Sequence, residues 1–292
     1  MRAAARAALQ DAGLDPEDTE RLVLRALDED FRYGPDVTSE ATVGSGSGVT
    51  GEIVARERGV LAGIPVALAV LDALGSAATG EALLADGGAI EPGDPVLRVS
   101  CPATVVLGAE RTMLNFLTHL SGIATATRAW ADAVAGTGAV IRDTRKTLPG
   151  LRGLEKYAVR CGGGQNHRLG LGDAALIKDN HVAAAGGIAA AIRAVRQACS
   201  DMPLEVECDT LAQVRESLDA GARFILLDNM DLADLGAAVE IARRYEGVLL
   251  EASGGLRLET AYKVASTGVD YLAVGALTHS SRALDLGLDL TS

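Results

Sequence analysis

Between Asp143 and His181 the chain gathers seven Lys or Arg side chains against four acids. It threads them through Gly162-Gly163-Gly164, Gln165-Asn166-His167-Arg168 and Lys178-Asp179-Asn180-His181. The formal charge of the whole chain is −12, so this segment runs against its surroundings. Arg145-Lys146 and His167-Arg168 are adjacent cations in turn-like contexts, not members of one amphipathic stripe. Such pairs suit convergence on a small polyanion, because a guanidinium grips a carboxylate or phosphate with forked donors and a lysine adds a compact point charge. A solvated face is the ordinary explanation of a charge cluster. Here the cations border apolar strands and glycine turns, where solubility requires no charge.

These residues need a scaffold, and the chain from Ala139 onward supplies a regular one. Short apolar strands end in a polar residue and lead into an amphipathic helix. Residues 139–141 end at Arg142-Asp143, 174–177 at Lys178, 204–206 at Glu207, 224–227 at Asp228, 248–250 at Glu251 and 271–274 at Gly275. The spacing predicts repeated βα units in a parallel sheet or barrel. In a barrel the reactive groups gather at the carboxyl ends of the strands, so Lys178, Glu207, Asp228 and Glu251 would point into one mouth. An open doubly wound sheet is the alternative, and it normally lacks such a row of charged strand ends. Ser253-Gly254-Gly255 and Gly275-Ala276 follow late strands, where barrel loops bind phosphate through backbone N–H groups.

The amino-terminal third has another rhythm. It shows a helix from about Pro16 to Asp30, an alternating strand at Gly51–Arg56, an Ala/Leu-rich helix at Pro65–Leu74, and a turn at Pro92–Asp94 leading into Val96–Val99. A long helix follows from about Thr104 to Ser121-Gly122. The fold class expected is α/β: an incomplete α/β barrel with an N-terminal α+β open-sheet sandwich domain. The expected division is 1–112 for the sandwich, 113–276 for the catalytic barrel, and 277–292 for a C-terminal segment packing back on the sandwich.

Composition narrows the function classes. At 292 residues and 48% hydrophobic the chain can bury a substantial core. No apolar run reaches bilayer length, and residues 1–30 do not read as a signal peptide, so a cytoplasmic protein without membrane contact is expected. An acidic balance with 3% aromatics argues against a nucleic-acid surface. Cys101, Cys161, Cys199 and Cys208 form no C-x-x-C pair and read as buried or semi-buried thiols. Gly46 to Gly51 matches G-x-G-x-x-G, yet polar residues precede it and an alternating stretch follows. It is expected to be a loop or hairpin, since a dinucleotide site needs a strand before and a helix after. The four histidines lack i, i+4 metal spacing; His167, beside Arg168 and after three glycines, is the one singled out.

Assembled, these segments resemble the quinolinate phosphoribosyltransferase family over nearly the whole chain. The resemblance is carried by Glu110–Asn115, Ser121–Thr125, Asp143–Arg152, Leu154–Val159, Gly162–Arg168, Leu176–His181, Glu205–Glu207, Leu227–Met230, Glu251–Gly255 and Val274–His279. It implies transfer of a phosphoribosyl group from phosphoribosyl pyrophosphate to quinolinate with decarboxylation, giving nicotinate mononucleotide, pyrophosphate and CO₂ with Mg²⁺. It also implies a homodimer, or a higher oligomer built on it, whose active site the partner subunit completes.

Residue by residue, the resemblance assigns Arg111, Arg145, His167 and Arg168 to the two carboxylates of quinolinate, with Thr144 in the same binding segment. Lys146 and Lys178 fall near the pyrophosphate and the reacting carboxylate. Glu207 and Asp228 engage the ribose hydroxyls, directly or through Mg²⁺. Ser253, Gly254, Gly255, Gly275 and Ala276 cradle the 5-phosphate. Arg56, or else Arg58, is the arginine delivered across the dimer interface. Beyond those assignments, the arrangement itself suggests Lys146, or else solvent, as the proton source for the ring carbon after CO₂ leaves. Two alternatives stay open: a paralogue of the same fold, such as one using nicotinate, which would alter Arg145–Arg152, and a silent binding protein. The intact set of cations and acids argues against the second.

Overall fold

The computed structural model describes residues 1–43, 48–75 and 78–291. Its strands are β1 (Gly48–Ala55), β2 (Gly59–Val60), β3 (Thr79–Ala82), β4 (Ala89–Ile90), β5 (Pro95–Pro102), β6 (Val140–Arg142), β7 (Ala175–Ile177), β8 (Leu204–Cys208), β9 (Phe224–Asp228), β10 (Leu249–Ser253), β11 (Tyr271–Ala273) and β12 (Leu286–Thr291). Two compact units result. One contains Met1–Arg128, Thr147–Gly163 and the chain from Thr278 on; the other contains Ala129–Lys146 and Gly164–Leu277.

The first unit is built on an antiparallel sheet in the order β12-β1-β5-β3. Strand alternation explains its two faces: Leu97, Val99 and Cys101 of β5 are buried, while Arg98 and Ser100 between them are only half-buried. Arg98 stands opposite Glu52 and Glu81 on the two neighbouring strands and pairs with both at 2.9 Å, a charge ladder that fixes the register. The helix Pro16–Phe31 starts where Asp15 accepts the N–H groups of Glu17 and Asp18 at 2.8 and 3.2 Å. At the helix Ile64–Leu74, Asp86 takes that role from a distance, accepting from Gly63 N at 2.8 Å and from Tyr157 Oη at 2.5 Å.

The helix beginning at Ala103 does not stop at Gly122, where the sequence suggests an end, but runs on to Ala133. Gly122 is required there for contact. A Cβ at that position would stand 2.1 Å from the carbonyl oxygen of Arg282. The C-terminal segment is thus laid against this helix, with Leu284 N donating to Thr118 O at 2.9 Å, before β12 pairs with β1.

The second unit is a parallel sheet in the order β6-β11-β10-β9-β8-β7. From β7 to β11 each strand lies beside its neighbour in sequence, and the first strand, β6, lies beside the last, β11. That cyclic order is an α/β barrel, open between β6 and β7, as the βα repeats suggest. Gln165 bridges to Arg142 on the open side of β6. One parity of side chains, among them Ile141, Val206, Ile225, Leu227, Leu250 and Leu272, is buried as apolar core. The other parity carries Leu176 and Lys178, Glu205 and Glu207, Leu226 and Asp228, Glu251 and Ser253.

Three local expectations need correction. Strand β10 continues to Ser253, so Glu251 is mid-strand and fully buried, not a strand end. Cys199 is exposed, because it follows the last turn of the helix Ile188–Ala198, whereas Cys101 and Cys208 are buried. Of the Gly46–Gly51 match, Gly46 and Ser47 lie outside the described residues; from Gly48 on it is strand β1, not a loop.

Candidate active site

Where the strands of the second unit end, a cavity of about 360 Å³ opens, lined by cations and acids of the repeated βα units. Thr144, Arg145 and Lys146 follow β6; His167 and Arg168 follow the bridging Gln165. Lys178 stands at the end of β7, Glu207 on β8, Asp228 on β9, and Glu251 and Ser253 on β10. Lys178 Nζ donates to Glu207 Oε2. Asp228 Oδ2 accepts from its neighbour Asn229 at 2.7 Å. Arg168 is anchored by Nη1 to Ala174 O at 2.9 Å. Burial, and then Arg145 beside it, hold the Arg168 guanidinium below its ordinary value. Two close arginines in a partly desolvated wall are a poor arrangement for an empty surface and a good one for an anion.

Beneath the cations lies a buried polar layer that reading the sequence left unexplained. Asp143, with no exposed surface, accepts from His167 N at 2.8 Å and from Asn166 Nδ2 at 2.6 Å. His167 Nε2 lies 2.9 Å from Glu205 Oε2 and 3.5 Å from Glu251 Oε1. Arg142 donates to Glu251 Oε2 at 2.5 Å and lies 4.8 and 5.2 Å from the ring centres of Tyr271 and Phe224. Burial, and then the neighbouring Glu205, push the Glu251 carboxyl up to about 7. One signal for Glu205 was available: two residues from Glu207 on a strand, it must share that residue's face.

His167, Glu205 and Glu251 offer one ligand atom each within 4.8 Å of one another, the only such group of buried metal-ligand types among the described residues. Hydrogen bonding decides against a metal there. Arg168 N donates to His167 Nδ1 at 2.7 Å, so Nδ1 is the unprotonated nitrogen and Nε2 carries the proton. A protonated Nε2 cannot ligate, and its single hydrogen goes to Glu205 at the shorter distance. Glu251 Oε1 is left without a hydrogen bond.

Comparison with known proteins turns this arrangement into an identity. The profile of the quinolinate phosphoribosyl transferase N-terminal domain matches residues 36–121, and that of the C-terminal domain matches residues 123–289. The chain belongs to the quinolinate phosphoribosyltransferase family. It is 58% identical over 271 residues to the nicotinate-nucleotide pyrophosphorylase [carboxylating] of Mycobacterium leprae, covering 92% of this chain and 95% of that one. A probable enzyme of the same name from Bacillus subtilis is 40% identical over 264 residues, 90% of each chain. Among solved structures, the nicotinate-nucleotide pyrophosphorylase of Francisella tularensis superposes with a TM-score of 0.91 at 37% identity, covering 95% of this chain and 98% of that one. NadC from Streptococcus pyogenes gives 0.89 at 36%, covering 96% and 99%.

In this member of the family, nine of the residues assigned by resemblance meet at the cavity: Thr144, Arg145, Lys146, His167, Arg168, Lys178, Glu207, Asp228 and Ser253. Gly254 and Gly255 follow directly after β10, and Gly275 and Ala276 follow β11 after Val274, beyond the lining. Gly254 has φ +83°, and a Cβ on it would meet Asn229 Oδ1 at 2.2 Å, so the two strand-end turns can approach only at glycine. Arg111 and Arg56 belong to the first unit. Arg111 is exposed on the helix Ala103–Ala133. Arg56 pairs with Asp289 at 2.5 Å, and Arg58 with Glu91 at 3.0 Å.

Proposed function

We infer that the protein performs its family's reaction: it transfers the phosphoribosyl group of phosphoribosyl pyrophosphate to quinolinate with decarboxylation, giving nicotinate mononucleotide, pyrophosphate and CO₂ in de novo NAD biosynthesis. The observation that carries this is the convergence of Arg145, Lys146, Arg168 and Lys178 on one cavity whose wall also holds Glu207 and Asp228. Both substrates are multiply anionic, and a chain of charge −12 can bind them only through such a local excess of cations.

In this reading the forked donors of Arg145 and Arg168 hold the quinolinate carboxylates and aim the ring nitrogen at the ribose carbon. Arg111 shares that task. Ser253, Gly254, Gly255, Gly275 and Ala276 hold the 5-phosphate. Ribosylation is then largely positioning and electrostatics, with Lys146 and Lys178 countering the charge that shifts toward pyrophosphate. Glu207 and Asp228 face the ribose, where a carboxylate stabilises the positive charge developing on its reacting carbon. Once the ring nitrogen is quaternised, the ring accepts the electron pair released as the adjacent carboxylate departs as CO₂. Lys146 delivers the proton that replaces it. Glu207 and Asp228 are also the hard oxygen donors that Mg²⁺ takes. Bound there, Mg²⁺ would neutralise pyrophosphate charge. The enzyme is cytoplasmic; among the described residues no helix is long and apolar enough to cross a membrane. It works as a homodimer or an assembly of dimers, and Arg56 crosses to the partner's site on releasing Asp289.

Purified protein with quinolinate, phosphoribosyl pyrophosphate and Mg²⁺ should form nicotinate mononucleotide and CO₂ in equal amounts. Absence of both products would reject this function. Product without CO₂ would reject the decarboxylating step.

A further inference from the structure

His167 lines the cavity, yet both of its ring nitrogens are already bonded within the protein. Nε2–H donates to Glu205 and Nδ1 accepts from the backbone of Arg168. The ring is therefore a link in a chain that runs from a buried carboxylate to the backbone of an arginine in the cavity wall. We propose that Glu205 and Glu251 are positioning residues for the acceptor: acting through His167, they brace Arg168 so that its guanidinium meets the acceptor's carboxylate. The proposal deepens the functional reading above and rests on it for the identity of the acceptor.

The strands make this brace rigid. Glu205 lies one layer below Glu207 on β8, and Glu251 one layer below Ser253 on β10, so both reach the ring from beneath. Glu251 is held in turn by Arg142, which stacks against Tyr271 and Phe224. Its Oε1, 3.5 Å from Nε2, closes the other side of the slot that confines the imidazole. Beyond the ring, Arg168 is fixed at both ends, by its N–H to Nδ1 and by its guanidinium to Ala174 O.

Removing the Glu205 acceptor would leave the buried Nε2–H with only the Glu251 oxygen at 3.5 Å in place of a bond at 2.9 Å. The competing tautomer would carry its proton on Nδ1, where it opposes the Arg168 N–H donor. A change two side chains below the cavity thus displaces the residue at its surface.

The test combines kinetics with a spectrum. Glu205→Ala should raise the KM for quinolinate about 10-fold or more, the scale of one buried charge-assisted hydrogen bond, and change the KM for phosphoribosyl pyrophosphate less than about twofold. Glu205→Gln, whose amide oxygen can accept the same bond, should recover most of the loss. With four histidines in the chain, ¹⁵N spectra of labelled protein, assigned with His167→Gln, should show the Nε2–H tautomer for His167 in the native enzyme and a mixture in Glu205→Ala. Nδ1–H in the native enzyme, equal rises in both KM values, or Gln no better than Ala would overturn the proposal. If the native enzyme fails to use quinolinate, the functional reading fails, and the tautomer spectrum still decides the brace.

Discussion

At the scale of single residues, the geometry separates forked donors from point charges. Arg168 meets the cavity from a fixed backbone and a fixed guanidinium, so its value lies in direction as much as in charge. Arg168→Lys keeps the charge and loses the fork. Steady-state kinetics should then show the KM for quinolinate rising about 10-fold or more, with a smaller effect on the KM for phosphoribosyl pyrophosphate. An unchanged KM would mean that the fork makes no contact with the acceptor. Lys178 is proposed to serve differently: it pairs with Glu207 in the cavity and, in the proposed reaction, shifts to the leaving pyrophosphate. Lys178→Ala should lower kcat by about 100-fold, the order expected on losing one electrostatic contact to the transition state. A purely structural lysine would instead lower thermal stability and leave kcat of the folded fraction intact.

At the scale of elements, strand ends and their turns hold the site in register. The β9 and β10 turns touch at Gly254 and Asn229, a non-glycine residue that itself has φ +54°. Gly254→Ala puts a methyl group into that contact at a positive φ. It should cost about 1–3 kcal/mol, read as a lowered Tm, and raise the KM for phosphoribosyl pyrophosphate. The buried layer below the turns makes a pH prediction of defined sign. Glu251 is pushed up to about 7 from an ordinary 4.5 by burial and by Glu205, so the fold favours its protonated form. Its contribution is therefore fully present below pH 4.5 and is lost as pH rises through about 7. Comparing Tm across pH 4.5 to 8, Glu251→Gln should gain on the native enzyme as pH rises. A constant difference would show that Glu251 titrates normally.

At the scale of the whole molecule, the βα rhythm, the acids and lysines near the strand ends, and the alternating strands of the amino-terminal sheet were legible because strand periodicity leaves its mark on neighbouring residues; the antiparallel order of that sheet was not. Lys178, Glu207 and Asp228 could be placed at one mouth from spacing alone. What spacing cannot show is where a strand stops and which partner a side chain takes. Glu251 reads as a strand end until β10 is seen to continue to Ser253, and the apolar run gives no sign of the difference. Arg56 meets Asp289, and His167 meets Glu205, through folding that brings distant segments together. Gly122 reads as a helix stop because its contact with Arg282 lies far along the chain.

The central claim is that the cations of the second unit's cavity recognise a dicarboxylate acceptor. Its most direct test is the ratio of kcat/KM for quinolinate to that for nicotinate, in the native enzyme and in Arg145→Ala. A site built on paired forks predicts a strong preference for quinolinate, of about 1000-fold or more, that collapses in Arg145→Ala, since each lost fork costs about 10- to 100-fold. Comparable use of both acceptors by the native enzyme, or a preference untouched by Arg145→Ala, would contradict it.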